Sequence, residues 1–292
     1  MTNEDGFFRR LWRHVEACNN VASPSHLIPF RMGEDQVGWM GQDLARAMAF
    51  FPRDVHFDGR GVSLAGRLRG EGARTVALER IASALAARGH FKLRGEAFDV
   101  RATPEGAVLA RLDRGALPPF GVMSQGVHVN GFVRRADGLH LWVGWRNKAK
   151  AVAPGQLDNI VAGGIPAGLT PVQTLLKEAG EEASLPAGLA AQAVPAGRVS
   201  YVMANDEGLR RDLLHLYDLE MPEGVVPHPG DDEVERFELW PAADVLREVA
   251  ESDRVKFNVN LVLIEFGLRH GVLDRLGEAQ RAQLRAGLDQ AA

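Results

Sequence analysis

The sequence predicts an α/β protein: an α/β/α sandwich built on a mixed sheet, preceded by a smaller α+β domain. Short runs of alternating apolar residues interleave with helical stripes along the whole chain, which is the pattern of helices layered on a sheet. At 292 residues the chain exceeds a typical single domain, so two domains are expected. The segment Leu117-Pro118-Pro119-Phe120-Gly121 interrupts the pattern, and the character of the chain changes after it. The boundary is placed there, giving an N-terminal α+β domain over 1–118, a second domain over 119–272 and a helical tail over 273–292.

Phe7, Phe8, Leu11, Trp12 and Val15 form a helical stripe that predicts a helix over 4–18. Further helices are expected over 41–50 and over 75–88, where Val76, Leu78, Ile81, Leu85 and Ala86 recur. Extended pieces lie between them at 37–40 and 61–65, and 98–101 with 107–111 read as a hairpin around Pro104-Glu105-Gly106. Beyond the boundary, 127–133 and 139–143 alternate about Ala136-Asp137-Gly138, a hairpin signal. Ile160-Val161 reads as a short buried strand before a helix over 171–183. Strands are expected over 198–203, 213–219 and 234–239, then helices over 242–250 and 259–268, and a polar terminal helix over 274–290.

Apolar content of 46% and charged content of 25% are ordinary for a soluble globular protein. The net charge of −4 gives no reason to expect nucleic acid as a partner, and no stretch approaches the length of a membrane span. The single cysteine, Cys18, excludes an intrachain disulfide and a multi-Cys zinc site. It reads as a buried small hydrophobe. The start, Met1-Thr2-Asn3-Glu4-Asp5, lacks the basic end and apolar run of a signal peptide, so a cytoplasmic protein is expected.

Glu178, Glu181 and Glu182 stand on the 171–183 helix at spacings that put all three carboxylates on one face. Like charges so stacked destabilise a helix unless something positive lies among them, and divalent cations suit carboxylate and carbonyl oxygens. An E-x-x-E-E run also occurs on solvated helices; the Ala162-Gly163-Gly164 turn ahead of it is what favours a site. Gly163 and Gly164 permit a tight turn and a close backbone approach. Glu233, in an acidic run, is either a solvated turn residue or a further carboxylate of the site. Arg146, Lys148 and Lys150 follow a strand and could hold phosphate oxygens, the Arg as a fork and the Lys as point charges, or they are an ordinary charged loop. Lys256, close to Asn258 and Asn260, divides the same way. His128 reads as a hydrogen-bonded core residue before a catalyst. Asn130 either recognises a ring substituent or packs, and Trp145 is a rim aromatic able to stack on a flat heterocycle.

From Gly163 to Leu185 the chain resembles the Nudix box, G-x5-E-x7-R-E-U-x-E-E-x-G-U, where U is bulky and aliphatic. Gly163, Glu178, Glu181, Glu182 and Leu185 fall at its spacings. Leu169, Lys177, Ala179 and Ser184 replace its early Glu, its Arg, one aliphatic residue and its closing Gly, so the Glu–Arg pair that commonly braces the loop cannot form. Cys18-Asn19-Asn20, Phe120-Gly121-Val122, and the stretches 126–132, 141–146, 154–159, 217–220, 231–235 and 256–260 extend the likeness. Together they resemble a Nudix branch with an added N-terminal domain of DUF4743 type, which includes the Nudix half of fungal thiamine pyrophosphokinases.

The resemblance implies a Nudix α/β/α sandwich and a requirement for Mg²⁺ or Mn²⁺. It implies Glu178 and Glu182 as main metal ligands with the Ala162 carbonyl, Glu181 as a further ligand or the group that orients water, and Glu233 as base or ligand. The implied partner is a small organic diphosphate, foremost thiamine diphosphate or its damaged oxy and oxo forms, cut to the monophosphate plus phosphate. ADP-ribose or another nucleoside diphosphate conjugate is the alternative substrate. A non-catalytic Nudix-fold ligand-binding module is a third reading, supported by the lost loop residues. Nudix proteins are often dimers, which leaves a homodimer open. The N-terminal domain would supply a base-facing wall, with Trp39 and Arg94-Gly95-Glu96 as the places to look.

Overall fold

A computed structural model describes residues 3–21, 23–150 and 152–290. Met1 and Thr2, part of the segment read for a leader, and Ala291 and Ala292, the end of the expected tail, lie outside the described residues.

Helix α1 (Asn3–Cys18) opens the chain with Glu4 and Asp5 in its first turn, where the helix dipole favours negative charge. Strands β1 (Ile28–Met32) and β2 (Asp35–Met40) form one antiparallel pair, and β3 (Val55–Asp58) and β4 (Gly61–Leu64) another, with α2 (Gln42–Ala47) between. A parallel contact of β1 with β4 joins them in the order β2-β1-β4-β3. Helix α3 (Gly70–Ala87) buries Leu78, Ile81 and Leu85 against Phe30, Met32 and Met40. The expected hairpin follows as β5 (Ala97–Val100) and β6 (Ala110–Asp113), the second strand starting three residues later than the expected 107–111, and it adds Phe98, Val100 and Leu112 to that core. The Pro-Pro segment is a single helical turn, α4 (Leu117–Phe120), closed by Gly121 at φ 57°. Only glycine fits there, because a Cβ would stand 2.3 Å from the Trp39 carbonyl oxygen.

The large sheet is built from β7 (Met123–Arg135), β8 (Gly138–Arg146), β9 (Leu157–Asp158), β10 (Val161–Gly164), β11 (Val194–Asn205), β12 (Gly208–Glu220) and β13 (Val234–Pro241). Its order is β11-β12-β7-β8-β13, with β10 on β7 and β9 on β8; β12 runs parallel to β7 and the other pairs are antiparallel. Successive residues of β7 face opposite layers, as the pleat requires. Val127 and Val129 meet α5 (Pro171–Ala183) through Leu175 and Ala179. A short turn, α6 (Ala187–Ala190), follows α5. On the opposite face α7 (Ala242–Glu251) and α8 (Phe257–Arg269) cover Phe132, Leu141, Leu214 and Leu216. The molecule is an α/β/α sandwich on a mixed sheet with a smaller α+β unit before it, as the sequence predicts.

Two placements differ from expectation. Helix α1, grouped by sequence with residues 1–118, does not pack on the first sheet; Phe7, Leu11 and Val15 join the α7–α8 layer of the second. The terminal helix α9 (Glu278–Leu288) is no free tail: Leu284 and Leu288 are buried in the same layer, and a Cβ at Gly287 would stand 2.4 Å from Val15 Cγ1. Each helix carries an apolar stripe that must be buried, and chain order does not choose the surface that buries it.

Candidate active site

Helix α5 starts at a complete capping box: Thr170 Oγ1 accepts from Gln173 N at 3.2 Å, and Gln173 Oε1 accepts from Thr170 N at 2.9 Å. It ends at Ser184, left-handed at φ 50°, where glycine would avoid a strain of about 1 kcal/mol. The cap sets where the helix lies along β10, and so where its carboxylates fall.

Glu182 is buried, and its Oε2 accepts the Ala162 N–H at 2.9 Å. Glu178 lies against Gly163, where a Cβ would stand 2.7 Å from the Glu178 carboxyl carbon. Glycine is required for that approach. Burial pushes the Glu182 pKa well above the ordinary value against the opposing Ala162 N–H, and Asp158, Glu178 and Glu233 add to the rise. Burial also raises Glu178, with Lys177 opposing and Glu181 and Glu233 adding. Both carboxylates therefore resist ionisation where they stand.

Lys177 Nζ lies 2.6 Å from Glu181 Oε2 and 3.1 Å from Glu178 Oε1, and the Glu181 side chain stays half-exposed. Those contacts, that to Glu181 foremost, raise the Lys177 pKa. Among the described residues no group of three or more His, Cys, Asp or Glu is gathered closely enough to hold a metal. Glu178 and Glu182 lie at the glycine turn, while Glu181, expected as a further ligand or as the group that orients water, meets Lys177 on the half-exposed side of the helix. The buried Glu182 and the partly buried Glu178 beside a glycine turn still fit a hard divalent cation, which would replace their mutual repulsion with bonds.

A cavity of about 140 Å³ runs along the Gly163–Gly164 edge, and one of about 590 Å³ lies beside it between the first unit and the large sheet; Arg114, Arg146, Arg210 and Glu233 line both. Phe98 closes the smaller one over the turn, since a Cβ at Gly164 would stand 2.5 Å from its ring. Arg146 Nη1 and Lys256 Nζ both donate to Asp158 Oδ2, at 2.8 and 3.0 Å. Burial would raise the Asp158 pKa, but Lys256 and Arg146 outweigh it and hold it below the ordinary carboxylate value. The trio keeps one net positive charge at the cavity wall. Arg211, also in that wall, donates to the Gly121 carbonyl at 3.2 Å and faces no carboxylate within ion-pair distance among the described residues. Burial lowers its pKa, the signature of a desolvated and uncompensated guanidinium.

The remaining expected residues scatter. Glu233 reaches both cavities, its Oε1 held by Lys150 Nζ at 2.6 Å, and Lys150 lines the larger one. Lys148 is exposed and lines neither, because the loop after β8 turns it to solvent, the placement of the charged-loop alternative. Asn130 is 1% exposed and reaches neither cavity; Nδ2 donates to Asp218 Oδ1 at 3.1 Å and Oδ1 accepts from Asn159 at 2.9 Å. Its amide donates and accepts inside the sheet layer, which is the packing alternative expected for Asn130 rather than contact with a ligand in either cavity. His128 Nδ1 bonds Asn159 Oδ1 at 2.8 Å, and the ring lines the smaller cavity. Burial, with Lys256 adding, lowers its pKa to about 4. Arg94 and Glu96 line the larger cavity and Trp39 neither, while the Trp145 face is covered by Arg236 at 4.3 Å.

Sequence reasoning missed Phe98, Arg114, Asp158 and Arg211. The place of Arg211, second of two adjacent arginines ahead of the apolar Leu213-Leu214 pair of β12, was a usable signal. Phe98 and Arg114 carried none, because they meet the glycine turn only after the first unit docks.

A family model described as a domain of unknown function, DUF4743, matches residues 10–124, and one described as a NUDIX domain matches residues 124–259. The chain is similar to Nudix hydrolase 20, chloroplastic, of Arabidopsis thaliana, at 34% identity over 279 residues, covering 92% of this chain and 74% of that protein. It is similar to Nudix hydrolase 24, chloroplastic, of the same plant, at 34% identity over 263 residues, covering 89% and 72%. Among solved structures, that of DR0079 from Deinococcus radiodurans covers 57% of this chain and 97% of its own, at 20% identity and a TM-score of 0.45.

Proposed function

The chain belongs to the Nudix hydrolase family, and from that premise we propose that it hydrolyses the diphosphate bond of a small organic diphosphate, foremost thiamine diphosphate or its oxidised forms, to the monophosphate plus phosphate. The observation that carries the reading is Arg211: a cationic side chain without a carboxylate partner among the described residues, in a cavity bordered by Gly163 and Gly164. Desolvated guanidinium is costly unless an anion meets it, and its fork matches phosphate oxygens.

Nudix hydrolases generally use divalent metal ions. Held by Glu178 and Glu182 with the Ala162 carbonyl, Mg²⁺ or Mn²⁺ would neutralise phosphate oxygens and acidify a bound water. The chain's own groups do the rest. Arg211, with the net positive charge of Arg146, Asp158 and Lys256, orients the diphosphate along the glycine edge. Glu233 keeps Oε1 on Lys150, which leaves Oε2 to accept a proton from water in the cavity. Phe98 and Arg114, brought by the first unit, narrow the mouth and exclude solvent.

The test is incubation with Mg²⁺ and a panel of thiamine diphosphate, its oxidised forms and ADP-ribose, followed by product identification. Thiamine-type monophosphate plus phosphate supports the reading. AMP plus a sugar phosphate from ADP-ribose alone would move the substrate to the nucleoside class, and no turnover of any diphosphate would leave a binding module.

A further inference from the structure

His128, Asn159, Asn130 and Asp218 form a hydrogen-bonded row through the α8 side of the large sheet, and its direction is dictated by its end. Asp218 is an acceptor only: Burial would raise its pKa, but Arg269 and His270 hold the carboxyl below the ordinary value. Asn130 must therefore donate Nδ2 to Asp218 Oδ1, which leaves its Oδ1 to accept from Asn159 Nδ2 at 2.9 Å. Asn159 then has only Oδ1 to offer His128 Nδ1, at 2.8 Å. An acceptor there requires that Nδ1 carry the ring proton. Nε2 is left bare, with no partner among the described residues, on a ring that is 3% exposed and lines the cavity beside Gly163.

The cavity's other polar side chains include the pure donors Arg146, Lys256, Arg210 and Arg211. Ionised phosphate oxygens cannot donate, so a bare Nε2 has no use for the anionic part of a ligand. The carboxylates Glu178 and Glu182 belong to α5, across the sheet from the His128 side chain. We propose that His128 Nε2 accepts a hydrogen bond from an O–H or N–H of the substrate's organic half, and that Asn159, Asn130 and Asp218 are positioning residues that fix the ring's tautomer. The inference rests on the proposed diphosphate-hydrolase reading for its substrate, but not for the tautomer.

Long-range proton–nitrogen NMR of histidine-labelled protein reads the tautomer directly, with the His128 signal identified by its loss in His128→Gln. A protonated Nδ1 and an unprotonated Nε2 are expected in the wild type. A proton on Nε2 overturns the proposal whether or not thiamine diphosphate is a substrate. Asp218→Asn is expected to mix the tautomers; an unchanged spectrum from a folded variant would overturn the positioning role. With thiamine diphosphate as substrate, His128→Phe should raise KM at least tenfold with kcat within threefold, and His128→Gln, which retains an acceptor, should restore KM to within threefold of wild type. A His128→Phe KM within twofold of wild type would overturn the substrate contact. Should the wild type not turn over thiamine diphosphate, the substrate reading fails alone and the NMR measurement still decides the tautomer.

Discussion

Arg146 and Asp158 meet at 2.8 Å with both side chains buried, and Lys256 shares the same carboxylate oxygen at 3.0 Å. The arrangement places two cations on one anion beside the cavity, so the surplus charge is available to a ligand while desolvation is partly offset. Removing the anion leaves two buried cations uncompensated. Asp158→Asn is expected to lose on the order of 3 kcal/mol of stability, read from urea denaturation of the metal-free protein. A loss below half of that would show the cations relaxing to solvent.

The pair Glu178 and Glu182 is held in a setting that opposes charge. Glu182→Gln should abolish Mg²⁺-dependent hydrolysis while raising the stability of the metal-free protein by about 1 kcal/mol, because a desolvated charge is removed. Glu181→Gln, on the exposed side, should cost less than tenfold in kcat. Equal losses in the two variants would put Glu181 among the metal ligands.

Gly163 is needed because Glu178 lies where its Cβ would be, 2.7 Å from the carboxyl carbon. Gly163→Ala should displace that carboxylate and weaken Mn²⁺ binding at least tenfold, measured by titration of the protein with Mn²⁺. The circular dichroism spectrum should stay that of the wild type. Unchanged affinity would mean that Glu178 does not hold the ion.

Stability should depend on pH through His128. Its pKa falls from 6.5 to about 4 on folding, so between those values the unfolded chain binds more protons than the folded one. Its stabilising share is complete above the unfolded pKa and declines as pH drops toward the folded one, by about 3 kcal/mol in all. Denaturation of wild type and His128→Gln across this window checks it: the variant's curve should be flatter, and parallel curves would contradict the assignment.

Periodicity alone specified the elements that are long or strongly alternating. The β7–β8 hairpin, helix α5 with its glutamates and the glycine turn ahead of it were all legible in short windows, because spacing of side chains on a strand or helix is local geometry. The Thr170–Gln173 cap completes α5 with residues adjacent in the chain. Strand β1 was not legible, since Pro29 inside its run argues against a strand there.

Which of the legible residues meet was settled by packing. Glu181 shares the spacing of its neighbours, yet Lys177 claims it, because the ammonium reaches one turn along the same helix. Asn130 read as a recognition or a packing residue, and the sheet locked it between Asp218 and Asn159. The sandwich took α1 and α9 from opposite ends of the chain, and the cavity took Phe98 and Arg114 from a separate unit. Spacing along the chain thus sufficed for the sheet-and-helix plan and for the common helical face of Glu178, Glu181 and Glu182. The resemblance of residues 163–185 to the Nudix box supplied the family. The cavity wall, its surplus charge and the tautomer of His128 came from contacts between distant segments, whose desolvation and hydrogen-bond partners exist only once the layers close.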